Sequence, residues 1–190
     1  VLVFGHQNPD NDAIMSSVVL SQLLNQVEFD GNTYQACCLG PLPAESAKLL
    51  EDNGVAAPML IDAIEPAAEG EEAQLVVLCD HNEPGQSVTG LENAVIAGVV
   101  DHHRFGNFTT AAPLHIVALP WGSSCSIVAK LFEVLGVEPT DVQAKLLLSA
   151  MMTDTLMLKS PTATAIDAAI AKKLGDQIGV DPVKFGMEVF

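Results

Sequence analysis

Basic side chains are scarce in this sequence. One arginine, Arg104, and seven lysines stand against 24 aspartates and glutamates, for a formal net charge of −16. Duplex DNA is held by many Lys and Arg contacts to phosphates, so this composition argues against a nucleic-acid partner. With one tryptophan and one tyrosine, the chain also has few aromatic side chains on which single-stranded bases could stack. An anion bridged to the protein by metal ions is still compatible with the charge, because bound cations reverse the local field.

Long apolar runs, nucleotide-binding loops and paired cysteine motifs are also absent. No apolar run approaches the roughly 20 residues of a membrane helix, which argues against a membrane partner. No G-x-G-x-x-G or Walker A sequence occurs, which excludes the nucleotide-binding folds that depend on them. No two cysteines form a C-x-x-C pair, and most lie in or near apolar runs. We therefore predict buried thiols in a reducing compartment for Cys37, Cys38, Cys79 and Cys125.

Apolar runs alternate with helix-like patterns along 190 residues that are 49% hydrophobic, enough for one domain with a substantial core. Strands are predicted at 1–4, 34–39, 59–61, 75–79, 95–100 and 115–119. Helices are predicted at about 13–26, 43–53, 127–135, 140–153 and 162–174, with a short one from 181. This order is typical of an α/β domain with a mainly parallel central sheet and helices on both faces. Ligands bind at the carboxyl edge of such sheets.

The chain turns from the first strand into the first helix through Gly5-His6-Gln7-Asn8-Pro9-Asp10-Asn11-Asp12. Imidazole and carboxylate together suit a divalent transition metal such as Mn²⁺, Fe²⁺, Co²⁺ or Zn²⁺. A simpler interpretation makes Asp10 or Asp12 an N-cap and His6 a polar residue at a strand end. The octapeptide alone does not decide between these alternatives.

Further acidic and histidine residues follow other predicted elements, and each has an ordinary explanation when taken alone. Asp80 could be a turn residue after its strand, His102 and His103 could be half-buried polar residues, and Asp154 could end a helix. Ser123 and Ser124 precede a helix without a G-x-S-x-G elbow, so we interpret them as capping residues. The common location of the acidic and histidine residues at one sheet edge is the stronger observation.

Carboxylates gathered at one edge would repel one another unless cations compensate them. With a single arginine in the chain, metal ions are the simplest compensation. Four aspartates and two or three histidines are enough ligands for two metals with one carboxylate bridging. Two metals about 3.5–4 Å apart suit phosphoryl displacement, in which they clamp phosphate oxygens and convert a bridging water to hydroxide. No side-chain nucleophile stands out.

These motifs resemble the family II inorganic pyrophosphatases of the DHH phosphoesterase superfamily, and they appear in family order over essentially the whole chain. The Asp-His-Asn-Glu motif is the most specific, because the Asp-His-His motif is shared across the superfamily. The matching segments are the octapeptide 5–12, Asp80-His81-Asn82-Glu83, Asp101-His102-His103-Arg104 with Asn107-Phe108, and the stretch from Ser149 through Asp154-Thr155 to Lys159-Ser160-Pro161-Thr162.

The resemblance implies a role for each matching residue. One metal would be held by His6, Asp10 and Asp80, and the other by Asp12, Asp80, His102 and Asp154, with Asp80 bridging. His103 would face the substrate phosphate as a hydrogen-bond donor or proton source, with Arg104 beside it, and Asn82 would lie near the bridging water or substrate. The resemblance also implies Mn²⁺ or Co²⁺ as the two resident ions, Mg²⁺ accompanying the substrate, a cytoplasmic location and a homodimer.

One departure from the family pattern concerns its second, C-terminal domain, which supplies basic residues that close over pyrophosphate. This chain ends at Phe190, where a linker to that domain would begin, so we expect residues 1–190 to be the DHH-type metal-binding domain alone. The expected reaction is hydrolysis of pyrophosphate to two phosphates, weak or absent without the C-terminal domain. The alternatives are another DHH phosphoesterase (an exopolyphosphatase, or an oligonucleotide or cyclic-dinucleotide phosphodiesterase) and a metal-binding domain without catalytic function.

Overall fold

A computed structural model describes residues 1–190. Its centre is a six-stranded sheet in the order β3-β2-β1-β4-β5-β6, in which every neighbouring pair is parallel. The strands are β1 (Leu2–Phe4), β2 (Gln35–Cys38), β3 (Met59–Leu60), β4 (Leu75–Cys79), β5 (Val95–Asp101) and β6 (His115–Ala118). The expected α/β fold with a parallel sheet is confirmed, including the strands predicted at 59–61 and 115–119.

Six α-helices accompany the sheet, and a capping side chain marks the start of five of them. They are α1 (Asn11–Gln26), α2 (Ala44–Asp52), α3 (Ser124–Val134), α4 (Asp141–Asp154), α5 (Ala165–Ile178) and α6 (Pro182–Val189). Capping boxes begin α4 at Thr140 and α5 at Thr164. The helix predicted from 127 begins earlier, because Ser123 is its N-cap and accepts from the Cys125 N–H. None of these helices combines the length and the hydrophobicity of a membrane-spanning segment.

The two faces of the sheet are covered differently. Inward-facing strand residues such as Val3 and Val77 join the helices in a core of 27 buried residues. On the other face, Phe4, Leu78 and neighbouring strand residues form a smaller cluster of 8, packed against connecting segments and 3₁₀ turns at Pro84–Gln86 and Leu91–Asn93. Helical turns therefore cover both faces, with α-helices on one and the two 3₁₀ turns and connecting segments on the other. Residues 80–94 and 102–114 contain Pro84-Gly85, Gly90, Gly106 and Pro113, which interrupt a helical pattern.

All four cysteines are buried and free, which confirms the prediction of buried thiols. Cys37 and Cys38 occupy opposite faces of β2, so they contribute to the smaller and the larger core respectively. Cys79 ends β4, and Cys125 lies in the first turn of α3. Burial raises the pKa of the Cys37 thiol to about 11, which keeps it protonated and unreactive near neutral pH.

Candidate metal centre

The turn from β1 into α1 brings His6, Asp10 and Asp12 to the carboxyl edge of the sheet. Gly5 is required there, because a Cβ at this position would lie 2.5 Å from the Cβ of Ala13. Asp10 is the N-cap of α1 and accepts from the Ala13 N–H at 2.9 Å, as the simpler interpretation expected. Its carboxylate also lies 3.6 Å from Nε2 of His6, so capping does not remove it from the cluster.

Asp80 occupies the middle of the cluster, directly after β4. The residue is buried and has a left-handed backbone with φ 59°, a region that aspartate enters more readily than most residues. Its Oδ2 lies 3.3 Å from Nε2 of His6, and its Oδ1 lies 3.2 Å from Nε2 of His102. One carboxylate therefore faces both histidines.

His102 and Asp154 complete the cluster from the other side. Nε2 of His102 lies 3.4 Å from Oδ2 of Asp154 and 3.8 Å from Oδ2 of Asp12. Its other nitrogen, Nδ1, is 2.8 Å from the carbonyl oxygen of Trp121, which can only accept, so Nδ1 carries the proton. This arrangement aims Nε2 at the carboxylates.

The donor atoms form two sets, each lying within 4.8 Å of one another. We call His6, Asp10 and Asp80 the first donor set, and Asp12, His102 and Asp154 the second. All six predicted metal ligands are thus brought together, with Asp80 next to His102 of the second set. A third grouping joins Asp80, His102 and His103.

Burial and like charge perturb the three central carboxyl groups. Burial raises the pKa of Asp12 well above its ordinary value, and the charge of Asp80 adds to the rise. Burial and the charge of Asp80 likewise raise the pKa of Asp154 to about 7. Burial also disfavours ionised Asp80, but hydrogen bonds from His102 and His6 outweigh it and hold the pKa of Asp80 below its ordinary value.

The two histidines compensate the carboxylates by holding protons. Burial disfavours charged His6, but hydrogen bonds to Asp10 and Asp80 outweigh it and raise its pKa to about 11. Burial also opposes the charge of His102, whose pKa rises to about 10 because of its hydrogen bond to Asp80 and the charge of Asp12. Divalent cations would replace these protons, and imidazole nitrogens with carboxylate oxygens are a donor set that fits Mn²⁺ or a similar ion.

The N-terminus of α3 points into the cluster. Asp12 accepts from the Ser123 hydroxyl at 2.7 Å, the Ser124 N–H at 2.7 Å and the Cys125 N–H at 3.0 Å. The Ser124 hydroxyl donates to Oδ1 of Asp80 at 3.0 Å. Sequence reasoning identified the two serines as caps and missed this second role. The signal was present as consecutive hydroxyl residues at a helix start that follows a strand of the same sheet.

His103 lies at the rim of the cluster and is held by Asp101. Its Nδ1 is 2.7 Å from Oδ1 of Asp101, and its side chain is 51% exposed. This hydrogen bond is the main reason that the pKa of His103 is raised. Asp101 is fully buried and did not appear among the predicted site residues. Its position two residues before His103 in the Asp-His-His motif was the available signal.

Asn82 and Arg104 are placed differently from the six donors. The buried Asn82 amide donates to Oδ2 of Asp101 and to the Arg104 carbonyl, both at 2.8 Å, and its oxygen accepts from the Gly106 N–H at 3.0 Å. All its polar atoms are used inside the protein. The Arg104 side chain is 90% exposed and lies 3.6 Å from Glu83, so the structure does not bring its guanidinium into the cluster.

A cavity of about 630 Å³ lies beside the cluster and is not part of it. It is lined by Gln7, by residues between 84 and 96, and by residues 107–112, and contains none of the six donors. The cluster is therefore recognised by the chemistry of its side chains and not by cavity size.

Residues 1–158 match the family model described as DHH family, N-terminal domain. Candidate manganese-dependent inorganic pyrophosphatases from Streptococcus agalactiae serotypes Ia and V are each 43% identical over 189 residues, covering 100% of this chain and 59% of the relative. The chain thus spans 59% of the length of these curated relatives.

Two solved structures share the fold. A candidate family II inorganic pyrophosphatase from Methanococcus jannaschii superposes with a TM-score of 0.84 at 34% identity, covering 100% of this chain and 60% of the other. An exopolyphosphatase-related protein from Bacteroides fragilis has a TM-score of 0.74 at 17% identity, covering 100% of this chain and 55% of the other. At that identity the second likeness concerns the fold alone.

Proposed function

The chain belongs to the DHH family, and from that premise we propose that it is the metal-binding domain of a manganese-dependent enzyme that hydrolyses inorganic pyrophosphate to two phosphates. The observation that carries this proposal is the convergence of the six predicted donors, with Asp80 in the middle. The 43% identity to candidate manganese-dependent pyrophosphatases supports the choice of metal and substrate.

In this proposal the first donor set holds one Mn²⁺ or Co²⁺ and the second donor set holds another, with Asp80 shared between them. Bound divalent ions would supply positive charge for phosphate oxygens and would lower the pKa of a metal-bound water to near neutrality. The six donors lie on the ends of β1, β4 and β5 and on helices α1 and α4, so the packed sheet fixes their spacing.

The remaining residues would prepare the site for substrate. His103 is half exposed at the rim and has a raised pKa, so it would present a proton or a hydrogen bond to a phosphate oxygen. Asn82 would act indirectly, because its amide ties Asp101 to the 104–106 turn and so holds His103 in place. Arg104 would need to leave Glu83 to reach a phosphate.

In this proposal a second domain would complete the substrate site. Pyrophosphate is a polyanion, and the single arginine of this chain is exposed at the rim, so further basic groups from outside residues 1–190 would neutralise the substrate. Metal binding would then be retained by this chain alone, while hydrolysis would be slow without closure by the other domain. Mg²⁺ carried with the substrate, a homodimer and a cytoplasmic location follow from the family resemblance only.

The experiment is to load the chain with Mn²⁺, remove free metal, and measure metal content beside hydrolysis of pyrophosphate, polyphosphate and a dinucleotide. We expect close to two ions per chain, with slow hydrolysis that prefers pyrophosphate. A longer form of the protein, carrying whatever segment follows residue 190, should hydrolyse faster with the same preference. Absence of bound metal, or a preference for polyphosphate or the dinucleotide, would overturn the proposal.

A further inference from the structure

Asp167 is a fully buried carboxylate outside the donor cluster. It occupies the third position of α5, where its Oδ2 accepts from the Thr164 N–H at 2.8 Å and the Thr164 hydroxyl at 2.7 Å. The bond from the Thr164 N–H and the reciprocal bond from the Asp167 N–H to the Thr164 hydroxyl form the capping box, and helix capping requires nothing more from this side chain. However, Oδ2 also accepts from the Gly122 N–H at 2.9 Å, and Oδ1 accepts from the Ser126 hydroxyl at 2.6 Å. Both additional donors belong to the segment that begins α3.

A single peptide group lies between Asp167 and His102. Its N–H belongs to Gly122 and donates to Asp167, and its C=O belongs to Trp121 and accepts from Nδ1 of His102 at 2.8 Å. The peptide is trans, so the two groups point in opposite directions. The carboxylate and the imidazole therefore contact opposite ends of the same amide dipole.

We propose that Asp167 is a positioning residue for His102 and acts through the Trp121–Gly122 peptide. A negative charge at the N–H end polarises the amide and makes its carbonyl oxygen a stronger acceptor. The stronger bond from Nδ1 fixes the ring and makes Nε2 a better metal ligand. Metal-binding histidines commonly donate their other N–H to a carboxylate or carbonyl, and here a carboxylate supports the carbonyl from behind.

Close packing keeps this peptide in place. A Cβ on Gly122 would lie 2.7 Å from Cγ2 of Thr155 and 3.0 Å from Oδ2 of Asp167, which leaves no room for the backbone to shift toward either. Thr155 directly follows Asp154, so the same contact region supports both His102 and Asp154 of the second donor set. The inference rests on the proposed function, since it takes Nε2 of His102 to be a metal ligand.

The test compares Asp167→Asn with the wild-type chain. Asparagine keeps the shape and one acceptor oxygen for Gly122 and Thr164, but it removes the charge. We expect Mn²⁺ affinity, measured by calorimetric titration with Mn²⁺ alone, to fall by about 10–100-fold. In the metal-free chain we expect the Nδ1 proton of His102 to shift upfield in NMR spectra and to exchange faster with water. This second readout does not require metal or activity.

Thr164→Ala is the matched control, because it removes the hydroxyl from the same capping box and leaves the Asp167–Gly122 contact. It should lower Tm without changing Mn²⁺ affinity or the His102 signal. Asp167→Ser is the second variant, in case Asp167→Asn does not fold. Thr164 remains the N-cap of α5 in this variant, and the serine side chain is too short to reach Gly122, so Mn²⁺ binding should weaken as in Asp167→Asn.

Two results would overturn the inference. One is a folded Asp167 variant with wild-type Mn²⁺ affinity and an unchanged Nδ1 signal. The other is an equal loss of affinity in Thr164→Ala, which would assign the effect to helix capping. A wild-type chain that binds no Mn²⁺ would instead overturn the proposed function, and the NMR comparison would still decide whether Asp167 acts on the His102 hydrogen bond.

Discussion

Asp80 combines a demanding backbone conformation with a central position among the donors. A non-glycine residue in the left-handed region costs roughly 1–3 kcal/mol and persists where the surrounding structure fixes it. Here the surroundings are the end of β4, the Ser124 hydroxyl and the two histidine rings. The conformation turns one carboxylate oxygen toward each histidine, which a residue continuing the strand would not do.

Replacing this residue tests whether it is shared between two ions. Asp80→Ala should abolish tight binding of both Mn²⁺ ions, because each donor set would lose its contact with the common carboxylate. Calorimetric titration and metal content after desalting measure the effect. Glu51→Gln, which removes an exposed carboxylate distant from the donors in sequence, is the control and should bind as wild type. Loss of only one ion from Asp80→Ala would refute the bridging role.

Replacing His103 tests whether catalysis can be lost while metal binding is retained. Its Nδ1 is already bonded to Asp101 at 2.7 Å and lies 3.7 Å from Asp80, so we expect it to face substrate and not a metal. His103→Gln should retain Mn²⁺ binding and lower the turnover of pyrophosphate by about 100-fold or more. The assay uses this chain, or a longer form if the chain alone is too slow. Loss of a metal ion from this variant would show that His103 is a metal ligand.

At the scale of elements, the sheet and α3 together determine the site. Parallel strands β1, β4 and β5 end at one edge, and α3 begins there with its N–H groups directed at Asp12. A helix N-terminus stabilises negative charge, so α3 partly offsets the repulsion among the carboxylates. It does so without contributing a basic side chain, which suits a sequence with one arginine.

Ser123 should therefore contribute to stability and to metal binding at once. Ser123→Ala removes an N-cap and a hydrogen bond to a buried carboxylate, and should lower the free energy of unfolding by about 2 kcal/mol. Mn²⁺ affinity should also fall, because Asp12 loses a contact that orients it. Thr140→Ala removes the comparable cap of α4 and should cost about 1 kcal/mol without affecting Mn²⁺. Urea denaturation and titration measure the two quantities, and equal loss of affinity in both variants would contradict a local role for Ser123.

The sequence predicted the strands and the six donors because both depend on local patterns: apolar runs, and polar residues that directly follow them. It did not predict Asp101 or Asp167, whose partners are set by packing. Asp167 contacts Gly122 across a long sequence separation, and its place in a capping box gave a sufficient local explanation. The short 3₁₀ turns within residues 80–94 were not predicted either, since Gly and Pro there interrupt any helical pattern.

At the scale of the whole molecule, the charge of −16 and the raised pKa values of the site residues belong together. The metal-free chain stabilises a dense group of carboxylates by keeping protons on His6 and His102 and by raising the pKa of Asp12 and Asp154. Exchanging protons for metal ions would therefore change the charge of the site without moving its framework.

This exchange predicts a pH dependence with a definite sign. His6 and His102, with pKa values of about 11 and about 10, are protonated near neutral pH and must lose those protons to bind a metal. Binding should release protons, and apparent Mn²⁺ affinity should rise as pH increases between about 6.5 and 8.5. Titrations in buffers of different ionisation enthalpy count the protons. Affinity that is constant or falls over this range would show that the two imidazoles are not ligands.

The order of the donors along the chain determines the order in which they are translated. The first donor set is complete once β4 and Asp80 have left the ribosome, whereas the second waits for α4, which carries Asp154 and packs against α1. The nascent chain therefore contains all residues of the first donor set before Asp154 has been translated. The second donor set could therefore hold a metal only after the domain has been made through α4.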